Sequence, residues 1–198
     1  MGQTKQPAVT ALDIDIPALD QLDESTRNYF DKCQQKLGMV PNVLKAYSHN
    51  AEQLQAFSSY YNTVMFGESG LSLLEREMIA VVVSSINHCY YCLTAHGAAV
   101  RQYSENPMLG EQLVMNYRAA ELSLRHRAML DFSDKLTRQS DQIIEQDRQA
   151  LRDAGFNDKD IWDIANVAGF YNMTNRIASA VEMQPNSDYH SQYRTSHS

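Results

Sequence analysis

Proline and glycine are scarce in this chain, at five and eight of 198 residues. Their scarcity excludes a collagen-like rod, a proline-rich linker and most glycine-rich β-sandwiches. Basic charge is also in deficit. Lys and Arg number 17 against 24 Asp and Glu, a formal net charge of -7. No basic cluster forms that would track a phosphate backbone, so no nucleic-acid partner is expected. Long apolar runs are missing too. The longest, Met78 to Val83, falls far short of the roughly 18 residues needed to span a bilayer. Mean hydropathy is -0.45, and no membrane partner is expected. Cysteine is both rare and odd in number: Cys33, Cys89 and Cys92. Three cysteines are not a disulfide framework. Met1 to Pro7 is polar and lacks an apolar core segment, so no export leader is expected. The Met1-Gly2 start does not extend to a myristoylation motif, because Gln6 stands where Ser or Thr belongs. The expected localisation is cytoplasmic, where thiols stay reduced unless they work.

What is present is periodic. Hydrophobic residues make up 43% and charged residues 21%, close to the globular average. At about 150 residues per domain the length implies one domain. Residues 1–19 read as a loose N-terminal arm and 191–198 as a polar tail. Residues 20–190 read as a single all-α domain of about nine helices, with a redox core near 45–130.

Local signals place the helices. Asp23 to Thr26 caps a helix carrying Tyr29, Phe30, Cys33 and Leu37, and Gly38 ends it. Pro41-Asn42 opens a short helix to Tyr47. Ala51 to Met65 carries one apolar stripe, broken at Gly67 and Gly70. Ser72 and Glu75 form a capping box for a helix whose inward face is Leu74, Met78, Ile79, Val82 and Val83. The chain then punctuates at Ser84 to Asn87, with Asn87 expected to cap a helix to Tyr103. Further helices are expected over Glu111 to Arg118, Ser123 to Thr137 and Ile143 to Ala154. The last runs from a cap at Asn157 or Asp158 through Ala178, with Trp162, Phe170 and Tyr171 inward. No segment alternates with period two. Val81 to Val83 is β-branched but flanked by helical spacing.

The chemistry concentrates at His88-Cys89-Tyr90-Tyr91-Cys92-Leu93-Thr94-Ala95-His96. On a helix, Cys89 and Cys92 are i, i+3, and Cys92 and His96 are i, i+4, so the three share one face. A helix N-terminus lowers a thiol pKa. A nearby imidazole takes its proton. A second Cys closes a disulfide once the first is oxidised. Glu77 lies 12 residues before Cys89. If the chain turns back at Ser84 to Asn87, its carboxylate orients the imidazole and completes a Glu–His–Cys relay. A zinc site wants four ligands, and Cys89, Cys92 and His96 supply three; no metal and no other cofactor is expected. A thioredoxin-like site would need a strand before the helix. The plain alternative is a buried pair of core cysteines beside a satisfied histidine. Elsewhere, His88 reads as solvent-facing or a cap contributor and Cys33 as core packing. Asn172, Asn175 and Arg176 line either a pocket, an interface or, for Arg176, a surface ion pair.

At these residues the chain resembles the carboxymuconolactone decarboxylase superfamily, and more closely its alkylhydroperoxidase D-like, peroxidase-related branch. Glu77, Cys89, Cys92 and His96 match the family pattern in type and spacing. Ser84-Ser85-x-Asn87, Tyr91-Cys92, Leu37-Gly38-x-Val40-Pro41-Asn42, Phe170 to Arg176 and Pro185-Asn186 also resemble that branch. The resemblance spans roughly residues 20–190. It implies an alkylhydroperoxidase D-like helical bundle in homo-oligomers, trimers or hexamers. It also implies a thiol peroxidase without haem or metal, acting on a hydroperoxide and recycled by a dithiol reductant. Cys92 would be the peroxidatic thiol and Cys89 its resolving partner, with Glu77 and His96 moving the proton and Ser84, Asn87 and Tyr91 in support. Tyr91 departs from the family, whose well-characterised members place a His before the second Cys. Tyrosine is a poor base near neutral pH. Two other functions share the fold or the thiols: a decarboxylase or lactone-processing enzyme, and a non-catalytic redox-sensing oligomer.

Overall fold

A computed structural model describes residues 9–195. The outer parts of the expected arm and tail, residues 1–8 and 196–198, lie outside the described residues. Among the described residues the fold is all-α: nine α-helices, joined by short turns, and no strand. They are α1 Glu24–Leu37, α2 Asn42–Tyr47, α3 Ala51–Phe66, α4 Leu73–Ile86, α5 Tyr90–Ser104, α6 Pro107–Asn116, α7 Leu124–Arg138, α8 Glu145–Asp153 and α9 Asp158–Ala180.

The bundle is built around α4, which packs against α3, α5, α6, α7 and α9. Every residue from Glu75 to Ser84 is buried. The sequence pattern predicts one buried face; the helix is instead enclosed on all sides, as a helix apolar all round must be. Met78 to Val83 therefore form the axis of the main core, and three consecutive valines sit in a helix because burial outweighs their weaker propensity. The buried charges at its start are all satisfied. Ser72 and Glu75 form the expected capping box, at 2.8 and 3.1 Å. Arg125 Nε donates to Glu75 Oε1 at 2.7 Å. Arg76 donates to the Gly67 carbonyl at 2.7 Å and the Val64 carbonyl at 3.3 Å, at the end of α3.

Helix boundaries differ from the sequence reading in two informative places. α6 starts at Pro107 rather than Glu111, because Asn106 Oδ1 accepts from the Met108 and Leu109 amides and Pro is well suited to the first helical position. Trp162 is 70% exposed, not inward. Ile161, Ile164 and Ala168 carry the buried stripe of α9, and Trp162 lies about a quarter-turn round from Ile161. Phe170 and Tyr171 are buried as expected.

The described ends of the chain are tied to the bundle. Gln184 N donates to the Val9 carbonyl at 3.0 Å and Ala11 N to the Val181 carbonyl at 2.9 Å. Arg101 donates to the Gln192 and Tyr189 carbonyls at 3.0 and 2.8 Å. Arg194 pairs with Glu111 at 2.7 Å. No helix of the described residues is long and apolar enough to cross a membrane.

Candidate active site

The site begins at the turn between α4 and α5. The Cys89 amide donates to the Ser84 carbonyl at 3.0 Å and the His88 amide to the Ser85 carbonyl at 3.2 Å. These are the two bonds of a Schellman C-cap. His88 occupies its left-handed position, φ 52°, where glycine is usual; its side chain is exposed. Asn87 is the C-cap of α4, not the N-cap of α5 as the sequence suggested. Cys89 takes that N-cap place. One residue thus closes α4 and opens α5, and its sulfur sits at the positive end of a helix.

The two helices then run back along each other. His96 Nδ1 lies 2.7 Å from Glu77 Oε2, and both side chains are largely buried. A carboxylate only accepts, so it draws an imidazole proton to Nδ1 and leaves Nε2 outside that contact. Tyr171 from α9 packs edge-on against the imidazole at 4.6 Å between ring centroids, its hydroxyl 3.4 Å from Nδ1.

Both thiols are free and buried. The Cys89 thiol is drawn down to about 6, chiefly because the Cys92 thiol can donate to its thiolate. The Cys92 amide, Ser179 and His96 act in the same direction, and burial opposes them. Cys92 is pushed well above the ordinary thiol value, first by that same sulfur contact and then by burial, although Asn175 and Thr174 favour its ionised form. The pair therefore releases one proton readily and holds the second.

A chain of side-chain amides, Asn175 buried and Asn87 and Asn172 half-buried, reaches the Cys92 thiol through Asn175. Asn175 Nδ2 donates to Ser84 Oγ at 2.9 Å. Asn87 Nδ2 donates to Asn175 Oδ1 at 3.0 Å and Asn172 Oδ1 at 3.1 Å. Asn172 in turn donates to Thr137 Oγ1 at 3.0 Å. Ser84 and Asn87 thus join the frame that locks α4 to α9, through Asn175. Arg176 is exposed and hydrogen-bonds to Asn172 at 3.0 Å; it joins no ion pair among the described residues. Tyr91 is buried, and its hydroxyl accepts from the Val43 amide at 3.1 Å, tying α5 to α2.

A cavity of about 580 Å³ opens over this arrangement. Glu77, Cys92, His96 and Tyr171 line it, and Cys89 does not. Its walls are mostly apolar and rich in aromatic rings, from Tyr29 on α1, Tyr47 on α2, Phe57 and Tyr61 on α3, Phe170 on α9 and Tyr189 beyond it. Cys33, expected in the core, is half-buried on this wall, and burial raises its thiol pKa. These wall residues were not legible as site residues. The one available signal was an unusual abundance of tyrosine, at 11 residues. Among the described residues no three His, Cys, Asp or Glu side chains converge so as to hold a metal ion.

The carboxymuconolactone decarboxylase family profile matches residues 51–108, from α3 to the start of α6. A peroxidase-related protein from Silicibacter sp. TM1040 is 63% identical, with 98% of this chain and 100% of that chain covered and a TM-score of 0.93. A peroxidase-related protein from Ralstonia eutropha JMP134, described as an alkylhydroperoxidase AhpD core, is 37% identical over 96% of this chain and 100% of that chain, with the same TM-score of 0.93. The debrominase Bmp8 shares the fold at 17% identity, with 93% and 95% coverage and a TM-score of 0.74. No curated protein matches in sequence.

Proposed function

The chain belongs to the carboxymuconolactone decarboxylase superfamily as an alkylhydroperoxidase D-like member, and from that premise we propose that it is a thiol-dependent peroxidase working through a Cys89–Cys92 dithiol/disulfide cycle. The observation that carries this reading is the shared cavity. Cys92 opens onto the same space as a buried Glu77–His96 pair held at 2.7 Å.

Each thiol has a distinct part. The Cys92 proton is held tightly, so its removal needs a base, and His96 oriented by Glu77 is that base. The Cys92 sulfur attacks the distal peroxide oxygen. An S–O bond forms, the O–O bond breaks, and the alkoxide recovers the proton from His96. The products are a sulfenic acid on Cys92 and an alcohol. Cys89, already ionised near neutrality, attacks the Cys92 sulfur. The S–S bond forms, the S–O bond breaks, and hydroxide leaves as water after protonation. A dithiol donor reduces the disulfide by two exchange steps and is itself oxidised. Tyr91, tied to the Val43 amide, holds α5 against α2 and lines the cavity beside Cys92.

Peroxide consumption with a dithiol reductant tests the reading. Wild type turns over and Cys92→Ser does not, while Cys89→Ser stops after one equivalent with sulfenic acid on Cys92, seen by mass spectrometry. Equal rates in wild type and Cys92→Ser would remove the proposal. Bmp8 is a debrominase on the same fold, so the substrate panel includes a brominated arene. Self-association belongs to the same reading. Met115, Leu124 and Trp162 are 78%, 85% and 70% exposed, an apolar load suited to subunit contacts. Sedimentation as a trimer or hexamer would support it.

A further inference from the structure

The cavity is far larger than hydrogen peroxide requires. At about 30 Å³ per water, 580 Å³ holds roughly twenty. Its charges are also unevenly placed. Among the described residues only Lys32, Lys36, Glu77 and His96 bring charge-bearing side chains to its wall. Glu77 and His96 satisfy each other at the buried end. Lys32 and Lys36 are exposed and one turn apart on α1, so they stand together on the solvent side of the lining. Neither forms an ion pair among the described residues. Lys32 also borders a second groove holding Asp23 and Glu52, and it pairs with neither. In a chain of net charge -7, the free charge on this side of the lining is positive.

The lining thus joins two exposed, unpaired ammonium groups, a set of aromatic rings, and a buried thiol with a Glu–His pair. We propose that the cavity takes hydroperoxides of extended apolar carboxylic acids: the carboxylate rests on Lys32 and Lys36, the hydrocarbon lies along the tyrosine and phenylalanine wall, and the peroxide reaches Cys92. This rests on the peroxidase reading for its chemistry, not for its binding. The step is the one given above, with a hydroxy acid as the released alcohol. A small neutral hydroperoxide would leave the cavity filled with water and the lysines unused. A neutral lipid ester would fill the cavity but place no charge beside the lysines.

Two measurements separate binding from chemistry. The first compares kcat/KM for linoleic acid hydroperoxide and for its methyl ester, both below their micelle concentrations. The acid is favoured roughly five- to tenfold, the scale of two partly exposed ion pairs. Lys32→Glu/Lys36→Glu abolishes or inverts the ratio, whereas Lys159→Glu, an equal charge change on the first turn of α9, leaves it intact. The second is calorimetric titration of oleate and methyl oleate, which carry no peroxide. Oleate binds more tightly, and the α1 double variant removes the difference. Equal behaviour of acid and ester in both measurements overturns the inference, as does an acid preference that survives the double variant. Lysine-dependent oleate binding without turnover of any hydroperoxide supports the ligand class and overturns the peroxidase reading instead.

Discussion

Glu77 on α4 and His96 on α5 meet at 2.7 Å, Oε2 to Nδ1, across 19 residues of chain. The Schellman turn at His88 makes this possible, because it reverses the chain without a loop and sets α5 directly against α4. The carboxylate decides which imidazole nitrogen carries the proton. Glu77→Gln keeps the shape but offers an amide that can donate to Nδ1 and reverse the tautomer. The expected result is a loss of about 10²-fold in peroxide turnover, with little change in the urea midpoint. Wild-type turnover in Glu77→Gln would exclude the relay.

The thiol pair sets a pH dependence with a definite sign. Cys89 is drawn from the ordinary 9.0 to about 6 in the folded chain. Between these values the unfolded chain still holds the proton that the folded chain has released. Stability of the reduced protein therefore rises with pH from about 6 to about 9, and the gain is absent below about 6. Above that window the unfolded chain ionises both thiols while folded Cys92 resists, so the gain shrinks again. Two readouts check this. Ultraviolet thiolate absorbance titrates one thiol near 6 in wild type and not in Cys89→Ser. Urea unfolding of the disulfide form lacks this pH window.

Much of this site is legible in the sequence because it is local. The spacing of Cys92 and His96 fixes a shared helical face whatever the rest of the chain does, and Glu77 needs only one reversal to join them; Cys89 stands one residue outside the helix, at its N-cap, and off the cavity. The same is true of the capping box at Ser72 and the stop at Gly38. Features set by partners from far along the chain are not legible. Nothing at Lys32 or Tyr47 announces that a cavity will end on Cys92, since the wall closes only when α1, α2, α3 and α9 converge. Asn87 reads as a helix start because Asn often caps. Its actual partners, Asn172 and Asn175, lie 85 and 88 residues away. Trp162 reads as core because it is large and apolar. Which side of α9 faces α4 is decided by the isoleucine stripe beside it.

His88 is a local strain that can be relieved. A non-glycine residue at φ 52° costs about 1 kcal/mol in this region, although His tolerates it better than most. The side chain is exposed, so its removal leaves no cavity. His88→Gly is expected to stabilise the fold by up to about 1 kcal/mol, and His88→Val to destabilise it by more. Chemical denaturation measures both. Because the turn also places Cys89, the Val substitution should raise the midpoint of the thiolate titration, whereas Gly should leave it in place.

Two glycine-to-alanine changes should act in opposite directions. Gly110 on α6 is buried where α6 crosses α5. A Cβ there would lie 2.9 Å from Arg101 Cγ and 3.0 Å from the Gly97 carbonyl. Arg101 cannot simply swing away, because its guanidinium holds the Tyr189 and Gln192 carbonyls. The helices must part, and Gly110→Ala is expected to cost about 1–3 kcal/mol. It should also loosen the segment carrying Tyr189, part of the cavity wall, and so weaken binding of apolar ligands. Gly169 on α9 is exposed, and a Cβ there meets nothing within 4 Å. Gly169→Ala is expected to stabilise by about 0.5–1 kcal/mol through the unfolded chain's lost freedom. Urea unfolding of the two variants side by side tests whether close helix approach, rather than helix propensity, explains the glycine at 110. Equal effects would refute that distinction.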